Sequence, residues 1–261
     1  MVKNFLSAFD YLLGCHFDEN DNLPDDYNYD WAGWFPILGF IYAVFSGLIA
    51  EGYLVLFPQS IAAFLTVITI YCLTWFVNLR AVSKMIGEFT DNKRCEMPEE
   101  KRSPRVCKTH SAGVFAVLSA IFCKSLCLSE MPTELFAPAV ATSVVVGRCW
   151  LLSLIILVPA KNPEGIISKL KNSVKMPALI FSGIFAVFSA GLFAGFAGIS
   201  SVWFSMVIVA LFGVFCMRRV GGISEASLIS GGELSEIICL LTFASYPAQE
   251  IVSKTGIYFW G

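Results

Sequence analysis

The chain carries long apolar stretches along almost its whole length, and this pattern decides what it can fold into. Seven stretches are candidate membrane spans: 34–57, 61–79, 110–128, 135–159, 178–199, 202–216 and 234–247. A helix of about 20 apolar residues crosses the hydrocarbon core of a bilayer. The last two stretches are short, so the count is six or seven. Only 15% of the residues are charged, against about 25% in soluble domains, so a soluble fold is excluded.

The positive charges are concentrated in alternate loops. Residues 80–109 hold eight Lys and Arg, residues 160–177 hold four and residues 217–232 hold two, out of 18 in the chain. The segments that join the opposite ends of the candidate spans hold none. Loops rich in Lys and Arg stay on the cytoplasmic side. With seven spans, we expect all three basic loops and the N-terminus on the cytoplasmic side of the membrane.

The N-terminal segment 1–33 precedes the first span and has a different character. Its apolar part, "NFLSAFDYLLGC", is too short to cross a bilayer and contains Asp10. We therefore expect an amphipathic helix that lies in the membrane interface, followed by an acidic stretch. The predicted fold is all-α: a polytopic membrane helix bundle of about seven transmembrane helices, forming one membrane domain over residues 1–261.

Two basic residues lie well inside apolar stretches, Lys124 in "AIFCKSLCLSE" and Arg148 in "VVVGRCWLLSL". A positive charge at the centre of a span costs roughly 2.5–3.5 kcal/mol. One interpretation is snorkelling, or an ion pair with Glu130, Glu233 or Glu236. The other is that both cations face a cavity that holds an anionic ligand. We expect both head groups to point into the bundle, because exposure to hydrocarbon is costly.

Polar residues near two other spans are also candidates. Glu233 and Glu236 lie one helical turn apart, so they share a helix face. We predict them at the cytoplasmic mouth of the last span, where they either begin the helix, as its macrodipole favours, or bind a ligand. Lys108 and His110 begin the third span in "RVCKTH", and His110 is either an interfacial cap or a catalytic group.

The order of these motifs resembles the cobalamin synthase family, which are membrane-embedded adenosylcobinamide-GDP ribazoletransferases. The family enters its first span through Phe-Pro-x-x-Gly, present here in "WFPILGFIYAVF", and its third span after a loop that ends here in "CKTHSAGVFAVL". Its Lys in the third span and Arg in the fourth correspond to Lys124 and Arg148. Its Gly-Gly turn and Glu-x-x-Glu motif correspond to "VGGIS" and "ELSE". The resemblance covers nearly the whole chain.

The chain departs from the family at a group of aspartates. The family has Asp-Gly-x-x-Asp-x-x-Asp-Gly at the end of the second span, whose helix we expect to continue into the loop. Three carboxylates on one face suit Mg²⁺ bridging a diphosphate. Here those aspartates correspond to Arg80, Lys84 and Gly87, and a further family aspartate corresponds to Ala226. The resemblance therefore implies Mg²⁺ as cofactor, whereas this chain lacks the ligands.

The cations in these positions have two interpretations. Arg80 and Lys84 share a helix face and either bind phosphate directly or anchor a membrane boundary on the cytoplasmic side. Glu88 and Asp91, one turn further on, are weak candidates for a displaced metal site, and no other metal site is predicted. The candidate substrate- or phosphate-binding residues are Arg80, Lys84, Lys108, His110, Lys124, Arg148, Glu233 and Glu236.

Two functions follow from the resemblance. The first is transfer of the phosphocobinamide moiety from adenosylcobinamide-GDP to α-ribazole or its 5'-phosphate, in late cobalamin biosynthesis. The second is a catalytically inactive homologue that binds a corrinoid or nucleotide, or that organises other cobalamin-pathway proteins at the membrane. A small transporter would explain the cations inside the spans but not the ordered motifs. The expected partners are corrinoid and nucleotide small molecules, the lipid bilayer and pathway proteins, and no nucleic acid.

Overall fold

The computed structural model describes residues 2–13, 30–91 and 106–246. Most of these residues are helical, with one 3-10 turn at Asp30–Trp34 and no strand among them. The helices are α1 Val2–Leu13, α2 Phe35–Leu56, α3 Gln59–Leu73, α4 Val77–Asp91, α5 Val106–Glu130, α6 Thr133–Leu157, α7 Ile166–Ser173, α8 Met176–Val220 and α9 Glu225–Ala244. The prediction of an all-α fold is confirmed.

Helix α6 lies at the centre of the bundle. Almost every residue between Leu135 and Ile155 is buried, and α2, α8 and α9 pack around it. The outer helices instead expose large apolar side chains, for example Phe45, Phe115 and Phe196. A central helix that is apolar all round, surrounded by helices with apolar outer faces, is the arrangement that a bilayer stabilises.

Helix α8 is a hairpin rather than one straight helix. Its backbone is non-helical at 194–195. Ser182, before this break, donates to the carbonyl of Cys149 at 2.9 Å, and Ser205, after it, accepts from the indole N–H of Trp150 at 3.0 Å. Two distant residues of α8 therefore contact neighbouring residues of α6, so the segments on either side of the break run antiparallel.

The number of spans depends on how the broken helices are counted. Five helices are long and apolar enough to cross a membrane, or up to six if the bent pair α3–α4 is one span, with α8 counted once. Counting the two segments of α8 separately brings the total to the seven crossings expected from the sequence. A polytopic helix bundle is therefore present in the described part of the chain.

The turn inside α8 lies earlier than predicted. The sequence predicts the boundary between two spans at 200–201. In the structure, Ser200 and Ser201 are helical, and their hydroxyls donate to carbonyls one turn earlier. The chain instead reverses at Gly195, with φ +54° and ψ −133°. Glycine adopts such angles readily because it has no Cβ, whereas serine inside an apolar run satisfies its hydroxyl within the helix.

The described parts of the three basic segments lie at one end of the bundle. Glu88, in α4, accepts hydrogen bonds from Lys161, which follows α6, and from Ser224, which precedes α9. The backbones of Ala160 and Ile223 also pair. The expected grouping of the basic segments is therefore present, while their cytoplasmic orientation stays a prediction.

The loops without Lys or Arg meet at the opposite end. Gln59, at the start of α3, donates to the carbonyls of Leu128 and Met131 at the end of α5. Tyr246, just after α9, donates its hydroxyl to Ser200 Oγ at 2.7 Å, close to the turn of α8. Successive helices therefore alternate between two ends, as crossings of a membrane do.

Helix α1 packs on the basic end of the bundle through aromatic side chains. The ring of Tyr11 lies 4.9 Å from that of Trp31 and 5.8 Å from that of Phe35, between centroids. Burial raises the pKa of Tyr11 well above its usual value. The opposite side of α1 exposes Leu6 and Phe9. A short helix with one packed side and one exposed apolar side fits the predicted interfacial helix.

The expected continuation of the second span into the loop is wrong. Helix α3 ends at Leu73, and the axis of α4 is turned by 83°. Between them Trp75 and Phe76 have φ of +48° and +58°. This left-handed conformation costs residues other than glycine roughly 1–2 kcal/mol each. The bend is therefore a strained feature, and its strain has to be compensated by contacts elsewhere.

A buried charged quartet and an exposed cationic face

Four charged side chains meet in the interior of the bundle. They are Lys124 of α5, Arg148 of α6, and Glu233 and Glu236 of α9, each at most 4% exposed. The ammonium of Lys124 lies 2.6 Å from Glu233 Oε1 and 2.6 Å from Glu236 Oε2. Arg148 Nη1 donates to Glu236 Oε1 at 3.0 Å. We call this group the buried quartet; its two positive and two negative charges cancel.

The positions of the quartet confirm one expectation and correct another. Lys124 and Arg148 point into the bundle as expected, and the interpretation as ion pairs with Glu233 and Glu236 accounts for both. The glutamates, however, are not at the mouth of the last span. Helix α9 begins at Glu225, two turns earlier, so the helix-start interpretation does not apply to them.

Two uncharged side chains complete the hydrogen bonding of Glu233. Tyr71 donates its hydroxyl to Oε1, and Asn78 Nδ2 donates to Oε2 at 3.1 Å. The ring of Tyr71 also lies 5.1 Å from the ammonium of Lys124, within the range of a cation–π contact. Buried ions are tolerated when they are paired and fully hydrogen-bonded. The roles of Tyr71 and Asn78 were not predicted from the sequence. There, each residue is only a polar group at the end of an apolar run.

Glycines allow the helices to approach closely around the quartet. A Cβ on Gly147 would lie 2.7 Å from Cγ of Glu236, and one on Gly39 would lie 2.7 Å from Cβ of Arg148. The ring of Tyr42, on the same helix as Gly39, lies 5.8 Å from the guanidinium of Arg148. The Gly147-Arg148 pair therefore serves two purposes: one residue supplies the charge and the other makes room for its carboxylate.

A small cavity adjoins the quartet. It is about 10 Å³ in volume, and its lining includes the polar residues Tyr71, Lys124, Ser143 and Glu236. This volume holds about one water molecule. A nucleotide or a corrinoid does not fit into this cavity.

The structure does not bring Arg80 and Lys84 to the quartet. Both are exposed, one turn apart on the outer face of α4, while Leu79 and Val82 on its inner face are buried. Arg80 Nη2 donates to the carbonyl of Trp75 at 3.1 Å, inside the strained bend. The cations therefore form a separate feature, the cationic face of α4.

Three further candidates have side chains outside the described residues. These are Lys108 and His110 at the start of α5, and Asp91 at the end of α4. Their predicted roles in phosphate or metal binding stay predictions.

The described carboxylates do not fit a magnesium ion. Mg²⁺ in proteins is held by carboxylate oxygens together with water and phosphate. In the described part of the chain, no three Asp, Glu, His or Cys residues are grouped so as to hold a metal. Glu233 and Glu236 already bind cationic side chains, and Glu88 accepts from Lys161 and Ser224.

The comparison with known families decides the relationship. The family model described as cobalamin-5-phosphate synthase matches residues 17–244, nearly the whole chain. This protein belongs to the cobalamin-5-phosphate synthase family. The resemblance seen in the ordered motifs is thereby confirmed, and the chain is a cobalamin-synthase-like integral membrane protein.

Several curated relatives in the cobalamin-5-phosphate synthase family carry the name adenosylcobinamide-GDP ribazoletransferase. The protein from Escherichia coli O17:K52:H18 (strain UMN026 / ExPEC) is 27% identical over 214 residues, 79% of this chain and 84% of the relative. The one from Escherichia coli (strain K12) is 26% identical over the same shares. The one from Clostridium tetani (strain Massachusetts / E88) is 22% identical over 218 residues, 82% of this chain and 85% of the relative. No solved structure matches the chain.

Proposed function

We propose that this protein acts in late cobalamin biosynthesis as a membrane-bound family member that binds adenosylcobinamide-GDP without catalysing metal-dependent transfer. The observation that carries the proposal is the cationic face of α4. Arg80 and Lys84 occupy two of the positions where the resemblance places metal-binding aspartates, and both are exposed. Two cations repel Mg²⁺, but they attract the diphosphate that Mg²⁺ would otherwise bridge.

The geometry of Arg80 leaves it able to bind phosphate. Its guanidinium donates one N–H to the carbonyl of Trp75, and a guanidinium has five N–H donors in all. Because the side chain is exposed, its other donors are accessible to a ligand. Lys84, one turn along the same face, adds a second positive charge. An arginine fork and a lysine point charge are a common combination for holding phosphate groups.

Binding without transfer follows from the chemistry of the diphosphate. Breaking its P–O bond places negative charge on the departing GMP, and enzymes that transfer phosphoryl groups stabilise this charge with metal ions and fixed cations. The relatives' names describe such a transfer. Here the aspartates that would hold the metal are replaced, so we expect the ligand to be held in its unreacted form.

Binding measurements on the purified protein in detergent test the proposal. We expect adenosylcobinamide-GDP to bind in the presence of EDTA, and the Arg80→Gln/Lys84→Gln variant to bind at least tenfold more weakly. Each hydrogen bond to a charged group contributes roughly 1.5–3 kcal/mol, so the loss of two exceeds a factor of ten even after solvent screening. The variant should remain folded, because both side chains are exposed.

A matched control separates a specific site from general attraction. Lys175 and Arg218 are also exposed, so Lys175→Gln/Arg218→Gln makes the same change in net charge away from α4. We expect this control to bind like the unmodified protein. Equal affinities in all three proteins would mean that Arg80 and Lys84 act only as membrane anchors.

A second candidate is the transfer reaction itself, which the names of the relatives favour. The readout is release of GMP from adenosylcobinamide-GDP in the presence of α-ribazole 5'-phosphate, with and without Mg²⁺. Turnover that requires Mg²⁺ would overturn the non-catalytic part of the proposal. Restoring the carboxylates through Arg80→Asp, Lys84→Asp, Gly87→Asp and Ala226→Asp should give Mg²⁺-dependent turnover if only the metal ligands have been lost.

A further inference from the structure

One carboxylate of the buried quartet bonds to both sides of the bend between α3 and α4. Tyr71 lies in the last turn of α3, and Asn78 lies in the first turn of α4. Tyr71 donates to Oε1 of Glu233, and Asn78 donates to Oε2 at 3.1 Å. The two oxygens of a single side chain therefore connect two helices whose axes differ by 83°.

The bend itself is held by local hydrogen bonds, including backbone bonds from Phe76 N to Tyr71 O at 2.8 Å and from Val77 N to Thr74 O at 2.9 Å, but not by core packing of its own side chains. The residues that carry its positive φ angles, Trp75 and Phe76, are 67% and 45% exposed, so their side chains do not fix it by packing in the core. The bend's local hydrogen bonds include those from Thr74 to carbonyls of α3 and from Arg80 to the carbonyl of Trp75. A backbone in this conformation persists only when surrounding contacts hold it.

Glu233 is in turn fixed by residues of two other helices, α5 and α6. The ammonium of Lys124, on α5, bridges it to Glu236, and Arg148, on α6, holds Glu236. Every member of this chain of contacts is buried, so the contacts are weakly screened. The direction of α4 is thereby tied to the middle of the bundle.

We propose that Glu233 is a positioning residue, which clamps the two sides of the α3–α4 bend and so sets the direction of α4 and of its cationic face. The part concerning what α4 binds rests on the proposed function. The part concerning how α4 is held does not. The cavity described beside the quartet holds about one water, and the quartet instead orients a surface helix that carries the binding residues.

Amide hydrogen exchange, followed by mass spectrometry on the full-length protein in detergent, tests the clamp without ligand. Glu233→Gln would leave two buried cations facing one carboxylate and could prevent folding, so the informative variants are Tyr71→Phe and Asn78→Leu. Each variant removes one of the two hydrogen bonds that join the bend to Glu233. We expect exchange in peptides covering 77–91 to become about tenfold faster in each variant, because a bond to a charged acceptor is lost.

The control is Ser230→Ala, which removes a buried hydrogen bond inside α9, from the hydroxyl of Ser230 to the carbonyl of Ala226. It should leave exchange in 77–91 unchanged. Exchange in 133–157 should stay slow in all variants. Unchanged exchange of α4 in both Tyr71→Phe and Asn78→Leu would overturn the clamp, and so would equal acceleration throughout the bundle.

Ligand binding then distinguishes the two proposals. If the unmodified protein binds adenosylcobinamide-GDP, Asn78→Leu should weaken binding although the substituted residue is buried and lies away from the cationic face. If the unmodified protein does not bind it while α4 still loses protection in the variants, the proposed function fails and the clamp stands.

Discussion

Lys124 lies where a positive charge is most costly, and its two carboxylate partners explain why the bundle tolerates it. The ammonium is shared between Glu233 and Glu236 at 2.6 Å each, and Arg148 balances the second carboxylate. The group is neutral only as a whole. At the scale of residues, its stability should therefore depend on the balance of charge more than on any one ion pair.

Removing one cation should be severely destabilising. Lys124→Met leaves two buried carboxylates with one arginine, and an uncompensated buried charge costs roughly 3–5 kcal/mol. We expect a matching loss in the free energy of unfolding in detergent. The double variant Lys124→Met/Glu233→Gln restores neutrality and should recover part of the loss. A double variant no more stable than the single one would show that charge balance is not what matters.

Close packing at the quartet gives a second residue-scale prediction. In Gly147→Ala the new methyl group would lie 2.7 Å from Cγ of Glu236, so α6 and α9 would have to move apart. Overpacking of this kind costs roughly 1–3 kcal/mol. Gly52→Ala, where nothing lies within 4 Å, should be neutral or slightly stabilising in the same unfolding measurement. Similar values for the two variants would contradict the close approach.

At the scale of helices, the sequence predicts the positions of the spans but not the bend before α4 or the break inside α8. The apolar stretches locate the spans well, because hydrophobic length is a local property. The bend at Trp75 and Phe76 is not local, and α8 contains several glycines, so its sequence does not show that the break falls at Gly195. Nothing in "LTWFVN" predicts positive φ angles, since tryptophan and phenylalanine ordinarily avoid them. The hydrogen bonds to Glu233, which is distant in sequence, compensate for the backbone strain of the bend.

The same distinction applies to the candidate site. Lys124, Arg148, Glu233 and Glu236 were found from the sequence because a charge inside an apolar run is conspicuous. Their pairing, however, joins α5, α6 and α9, and only the fold shows which carboxylate meets which cation. Tyr71 and Asn78 were missed because an uncharged polar residue at the end of a span has no distinguishing pattern.

The reversal of α8 gives the element-scale prediction. Gly195 adopts φ +54° with ψ −133°, and a Cβ there is strained in any L-residue, at roughly 1–3 kcal/mol. We expect Gly195→Ala to lower the free energy of unfolding by that amount. Gly183→Ala, in the same helix with nothing within 4 Å of the new Cβ, is the matched control. If both substitutions have the same effect, the hairpin in α8 is not present.

At the scale of the whole molecule, the two ends of the bundle differ in charge. The described parts of the basic segments meet at one end, where Glu88 joins Lys161 and Ser224. The end at which Gln59 meets α5 lies within loops that lack Lys and Arg. Under the positive-inside bias, this asymmetry orients the bundle in the membrane.

Labelling of introduced cysteines tests that orientation. In a background where the exposed Cys72 and the cysteines whose side chains lie outside the described part, Cys15, Cys95 and Cys107, are replaced by Ser, Asn162→Cys and Arg218→Cys should react with an impermeant maleimide only after cells are permeabilised. Ser60→Cys and Glu130→Cys should react in intact cells. All four substituted positions are exposed. Labelling of position 162 or 218 from outside would reverse the assigned orientation.

The distribution of the quartet along the chain also bears on biogenesis. Lys124 and Arg148 leave the ribosome well before Glu233 and Glu236, which lie in the last described helix. Until α9 is synthesised, the two cations have no carboxylate partners from this helix. A positive charge inside a span makes the free energy of insertion by the translocon less favourable. Helices α5 and α6 therefore cannot settle into their final arrangement as they emerge. We therefore expect α5 and α6 to reach their final packing only after α9 has entered the membrane and supplied the two carboxylates.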